Sequence, residues 1–193
     1  MPARRIAAAL CALGLAGCGA AGRDTSLVPR PVGEGPQFRP PSLSAAVARG
    51  RPVAGLGCSP SGAQRYAAHL EVFAAGRVVV VPAGIGLAPP VRREGAYVRS
   101  ARCAYPLITT EPTGLVQVAR GTRATLGSLF ALWGQPLGRD RLAGFTGAVR
   151  VHVGGRAWRG DPRAVPLGRH AQIVVQVGPR IVPHPLYRFP PGL

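Results

Sequence analysis

Four cysteines and four histidines are the residues of this chain whose types could do chemistry. Cys18 stands out by position. It closes Leu15-Ala16-Gly17-Cys18, at the end of a short apolar run that starts behind Arg4 and Arg5. A positive start, an apolar stretch of that length and a small-residue cleavage site are the parts of an export signal. His69 and Glu71 lie two residues apart, so a strand would put both on one face. Together with His170 they are the set that could coordinate one metal, provided their strands adjoin. Isolated polar histidines are the commoner outcome, so no metal and no cofactor is assigned. His152 falls on the polar side of an alternating strand and is expected to face water. His184 sits between Pro183 and Pro185 in a proline-rich tail.

The tetrapeptide ending at Cys18 resembles the lipobox of bacterial lipoproteins, and the resemblance covers about the first twenty residues. It implies that the Cys18 thiol takes a diacylglycerol, that the chain is cut just before it, and that the new amino group is acylated, for example with palmitate. A membrane helix is the competing reading, but Ile6 to Gly17 is shorter than the roughly 20 apolar residues a bilayer requires. A plain secretory signal would need an Ala-x-Ala-like site, and Ala12 to Ala16 offers weak ones. Cys11 leaves with the signal. Arg4-Arg5 hints at twin-arginine export, but the residues after it fit that motif poorly. Gly19 is not the Asp that tends to retain lipoproteins at an inner membrane. The expected location is therefore an exported, membrane-anchored one, at the outer membrane facing the periplasm if the cell has two membranes.

With Cys11 removed and Cys18 acylated, Cys58 and Cys103 remain. Two cysteines in an oxidising compartment read as one disulfide. Neither belongs to a C-x-x-C, and zinc-type spacing is lacking.

The formal charge is +17, carried by 24 basic residues against 7 acidic ones. Such a balance ordinarily points to nucleic acid or an anionic surface. Here every basic residue is Arg, and the chain has neither Lys nor Asn. That composition fits a high-GC genome, so part of the excess is codon drift. Loss of Arg4 and Arg5 leaves 22 arginines and a formal +15. No stripe of alternating basic and aromatic residues marks a nucleic-acid site, and nucleic acid is mostly absent from an envelope. The expected partners are the membrane, through the lipid, and an anionic envelope polymer or another envelope protein.

The elements that must position these residues divide the chain into a signal (1–17), a lipid-anchored Pro/Gly-rich tether (18–50) and a β-rich domain (51–193). Arg30-Pro31, Gly35-Pro36 and Arg39-Pro40-Pro41 break any period in the tether, which should be extended and mobile; a short helix fits Ser42–Ala48. In the domain, strands are expected at His69–Phe73, Arg77–Val81, Arg102–Thr109, Gly114–Ala119, Val149–Val153 and Ala171–Val177. Ala75-Gly76 and Gly154-Gly155 read as turns, and the Arg92–Arg102 stretch as a loop. Leu126, Leu129, Phe130 and Trp133 recur at helical spacing on one apolar face. Thr125 can cap that helix, Gly134 can end it, and Pro136 bars continuation. Tyr187 and Phe189 are placed to pack back on the domain. The fold expected is mainly β (α+β): antiparallel β-hairpins with one short amphipathic helix, in a single domain. Residues 70–77 and 115–119 also echo 149–156 and 174–178, as a duplicated β-unit would.

A second resemblance rests on Ala68-His69-Leu70, Pro82-Ala83-Gly84-Ile85-Gly86-Leu87, Cys103-Ala104-Tyr105-Pro106-Leu107, the Thr125–Gly134 segment and His170-Ala171-Gln172-Ile173. Over residues 58 to 190 the chain is similar to an uncharacterised family of exported bacterial β-rich domains. That family has His-x-His ahead of the first strand, His-Thr-His-Asp after the Cys-x-Tyr segment, and a further His, a set that implies a metal site. This chain departs from it with Ala67, Ile108-Thr109-Thr110-Glu111 and Gln117. Ile and Ala cannot ligate, so the resemblance implies a site reduced or lost.

Catalytic motifs are missing. G-x-S-x-G, P-loop and H-E-x-x-H patterns do not occur, and no glycine-rich dinucleotide fingerprint stands between a strand and a helix. A carboxylate pair would have to come from Glu71, Glu94, Glu111, Asp140 and Asp161, and the two Asp read as turn caps with Arg partners. The expectation is a lipid-anchored, non-enzymatic envelope protein of binding or structural type. The alternative is an envelope protein that binds copper or zinc.

Overall fold

The computed structural model describes residues 37–40, 44–179 and 186–193. The expected signal, Cys11, Cys18 and His184 lie outside the described residues. In chain order these form β1 (Gln37–Phe38), α1 (Ala45–Arg49), β2 (Arg65–Ala74), β3 (Arg77–Val79), β4 (Leu87–Glu94), β5 (Tyr97–Ala104), β6 (Leu107–Ile108), β7 (Leu115–Ala119), α2 (Leu126–Trp133), β8 (Arg141–Leu142), β9 (Phe145–Thr146), β10 (Val149–Val153), β11 (Arg156–Trp158) and β12 (Gln172–Val177). A 3-10 turn, Pro162–Ala164, precedes β12. The architecture is mainly β, with antiparallel hairpins and one main helix in a single domain.

The central sheet runs β1-β3-β2-β12-β10-β11, with β7 also on β2 and β6 on β7. The hairpins close as the sequence predicts. Ala75 and Gly76 turn β2 into β3, Gly154 and Gly155 turn β10 into β11, and all four have positive φ. Two left-handed residues in succession match the twist of a two-residue hairpin. Two pairings are parallel, β1 on β3 and β12 on β2. Neither is legible in local patterning, because parallel partners are joined through distant chain.

Alternation along the strands gives the sheet two unlike faces. The inner face carries Leu70, Val72, Val116, Val118, Val151, Ile173, Val175 and Val177, packed in one core with Leu126, Leu129, Phe130 and Trp133 of α2. The Thr125 hydroxyl accepts from Ser128 N at 3.3 Å, and Gly134 ends the helix at φ 75°. Leu132, off the predicted stripe, is buried as well. The 3-10 turn packs against α2 at Gly127, where a Cβ would lie 2.9 Å from the Arg163 backbone.

β1 and α1 fall within the segment 18–50 expected as a tether. Gln37–Phe38 is a sheet strand, and Val47 of α1 is fully buried in the core. Hydrophobic burial of Phe38 and Val47 overrides the breaking effect of the prolines around them. The expected loop at Arg92–Arg102 is instead a hairpin: β4 and β5 pair antiparallel from Leu87–Ala104 to Glu94–Tyr97. Cys58 and Cys103 are disulfide-bonded, with Cα atoms 5.6 Å apart. The echoing segments occupy two hairpins of one sheet, but in different registers. Leu115 pairs with His69, whereas its counterpart Val174 pairs with His152, which corresponds to Phe73.

Candidate functional site

The outer face of the sheet is the polar one. Register sets His69 beside Gln172, Glu71 beside Val174, Phe73 beside Gln176 and Ala67 beside Gln117. Arg150 and His152 continue this face on β10. β2 lies in mid-sheet, so His69 and Glu71 are 2 % and 6 % exposed although they look away from the helix.

His69 lies in the middle of its strand. Its Nε2–H donates to Thr113 O at 3.0 Å, since a carbonyl can only accept. That fixes the neutral tautomer with the lone pair on Nδ1. Burial pushes its pKa down to about 4, against the Thr113 hydrogen bond, which raises it. Gly114 makes the approach possible: at φ 82°, a Cβ there would lie 2.2 Å from Leu70 O and 3.3 Å from His69 Nε2. Burial pushes the Glu71 carboxyl up to about 7.

β7 covers Arg65–His69 of one β2 edge, and β3 covers Phe73–Ala74 of the same edge. Between them the sheet splits around a cleft lined by Glu71, Val78, Val80, Pro112 and Thr113. Its volume open to the centre of a water-sized sphere is about 20 Å³, room for a water and not for an organic ligand.

Residues 186–193 lie across the outer face. The Tyr187 ring stacks on His69, centroids 4.1 Å apart and planes 6° from parallel. Phe189 stacks on His170 at 4.5 Å and meets Tyr187 edge-on at 5.2 Å. Gln172 clamps the Tyr187 backbone, donating from Nε2 to its carbonyl at 2.9 Å and accepting from its N–H at 3.2 Å. His170, in a left-handed conformation at φ 57°, donates from Nε2 to Leu193 O at 2.6 Å. Desolvation, then the nearby Glu111 carboxylate, pushes the Tyr187 phenol up, and Thr113 works the other way through a side-chain hydrogen bond.

β2 and β12 do adjoin, but His170 lies in the turn ahead of β12, and Tyr187 stacks on His69 as Phe189 stacks on His170. Among the described residues no three His, Cys, Asp or Glu converge as a metal would require. His152 is half-buried on the outer face, two strands from His69. Positions 67, 108, 110 and 117 do gather at the His69 end of β2. Gln117 faces Ala67 on one side and Ile108 on the other, and donates to Thr110 Oγ1 at 2.9 Å. Glu111 accepts from Thr113 Oγ1 at 2.8 Å. Asp140 and Asp161 sit at turns beside Arg141 and Arg163, at 3.7 and 2.8 Å.

Sequence reasoning missed Gln172 and the Thr113 carbonyl. The signal for Gln172 was present: Gln172, Val174 and Gln176 alternate with Ile173, Val175 and Val177, so one face of the last strand is part-polar. The carbonyl carries no side-chain signal. No protein-family model, curated protein or solved structure matches this chain.

Proposed function

We propose that the protein is a lipid-anchored cell-envelope protein that binds or scaffolds another envelope component and does no chemistry on it. The observation that carries the binding reading is the use made of the two candidate imidazoles. Each spends Nε2 on a backbone carbonyl and one ring face on an aromatic side chain. Such rings build a contact surface. The Cys58–Cys103 bond supports the export reading, because disulfides persist in oxidising compartments.

Metabolic labelling with a lipid precursor tests the anchor. Label should enter the wild-type chain and vanish in Cys18→Ala; an unlabelled, freely soluble mature chain ends the proposal. The rival reading, copper or zinc binding, would use the lone pair on His69 Nδ1, with Nε2–H still donating to Thr113 O. Titrating the purified chain with each ion decides it. Stoichiometric uptake lost in both His69→Ala and His170→Ala would replace the binding reading.

A further inference from the structure

The segment over the outer face is held in a way that elements of the fold are not. From 186 to 190 its residues alternate exposed and half-buried, as in an extended strand, with Tyr187 and Phe189 turned inward. Among the described residues its hydrogen bonds to the rest of the domain run to the side chains of Thr113, Arg169, His170 and Gln172, with no backbone ladder. Beneath it lies a groove built by other parts of the chain. His69 and Gln172 form the floor, the Thr113 loop forms one wall, and Tyr97 of the β4–β5 hairpin comes near enough to act on the Tyr187 phenol. A glutamine amide that both donates to and accepts from one residue's backbone reads an extended peptide, and two ring faces read an aromatic at every second place.

We infer that this groove is a peptide site, occupied in the isolated chain by its own Tyr187-Arg188-Phe189, and that its partner ligand is the same segment of a second copy. The second copy is the occupant whose fit is on display, because the complementarity is that of the chain with itself. Exchange of an identical element is a low-cost route to association. Copies held on one membrane would meet at high effective concentration. The inference rests on the binding reading above and names its partner. The lipid-labelling result bears on the anchor alone, so the two can fail separately.

Two full-length variants test it. Tyr187→Ala/Phe189→Ala has an intact groove and a disabled segment. Gln172→Ala has an intact segment and a disabled groove. Each should retain the Cys58–Cys103 bond and the buried-tryptophan fluorescence of Trp133, which certifies its fold. Mixed in equal amounts, they should form a one-to-one complex by light scattering that neither forms alone. A labelled peptide of sequence Leu-Tyr-Arg-Phe-Pro-Pro-Gly-Leu should bind the first variant about tenfold or more tighter than wild type, whose own segment competes intramolecularly. It should not bind when Gln172→Ala is added. A mixture that stays monomeric while the peptide binds would overturn the second copy as partner and leave a segment of another protein in its place. No peptide binding to a folded first variant would overturn the groove itself.

Discussion

His69 and Tyr187 stack ring on ring, 4.1 Å between centroids and 6° from parallel, joining mid-sheet to a segment 118 positions later. The imidazole is buried under the phenol, and its Nε2–H is held by Thr113 O. Tyr187→Ala should therefore remove a contact worth about 1 kcal/mol beyond its buried area. It should also wet the imidazole, so that the His69 pKa climbs from about 4 toward its ordinary value. Tyr187→Phe should keep both properties. NMR titration of the His69 ring in the three chains checks this. A His69 pKa unmoved in Tyr187→Ala would mean that the sheet alone buries the ring.

His69 and Glu71 should tilt the pH dependence of stability in opposite directions. Unfolded, His69 takes a proton near 6.5 and folded near 4, so its contribution is lost as pH falls between those values. Glu71 unfolded loses its proton near 4.5 and folded near 7, so its contribution is lost as pH rises between those values. From about 4.5 to 6.5 the two slopes cancel. In Glu71→Gln stability should rise with pH across that window, and in His69→Gln it should fall. Each swing is of the order of 3 kcal/mol. Urea melts at half-unit pH steps measure it; parallel curves for wild type and both variants would refute it.

Trp133 is 1 % exposed and touches Phe130 at 5.2 Å between centroids. Trp133→Ala should cost about 3–5 kcal/mol. Leu132→Ala should cost about 2–5 kcal/mol as well, although Leu132 is off the helical stripe, because it is fully buried in the same core. Denaturant midpoints test both. A loss under about 1 kcal/mol at Leu132 would mean that its side chain is not packed in that core.

Reduction of Cys58–Cys103 should release two thiols and remove about 4 kcal/mol through the unfolded state, given a sequence separation of 45. Thiol counting on unfolded, unreduced protein should give none from this pair. Two free thiols would break the link between this bond and export.

How far the fold was legible follows from which interactions are local. The helix from Leu126 to Trp133, its Thr125 and Gly134 ends, and the turns at Ala75-Gly76 and Gly154-Gly155 are written in neighbouring residues, and the structure has them. β4 was missed because Ala88-Pro89-Pro90 breaks the strand pattern, and its register shifts at that point. The parallel β2–β12 pairing depends on residues about a hundred positions apart, and it alone sets His69 beside Gln172. Pairing of Cys58 with Cys103 followed from a cysteine count and an expected oxidising compartment. Tyr187 and Phe189 stack on His69 and His170; their packing back was legible but their landing place was not.

The arginines of the β4–β5 hairpin decide whether the basic surface is a site. Arg93 donates to Ala83 O at 3.2 Å, Arg102 to Ala48 O at 3.3 Å, and Arg99 pairs with Glu94 at 2.7 Å under a cation–π contact with Tyr97. Three of the four densest arginines thus tie the hairpin to α1, to the loop before β4 and to itself, although all four are exposed. A field of one sign without a shaped site steers partners and does not select them. Binding of the chain to anionic vesicles should be weak and should fall steeply by about 0.5 M salt. Replacing Arg92, Arg93, Arg99 and Arg102 together by Gln should alter that binding little, while lowering stability by roughly 1–2 kcal/mol as the hairpin loses its backbone hydrogen bonds. Vesicle flotation and a urea melt on the same variant read both arms. Binding abolished at unchanged stability would make the hairpin a genuine anion site.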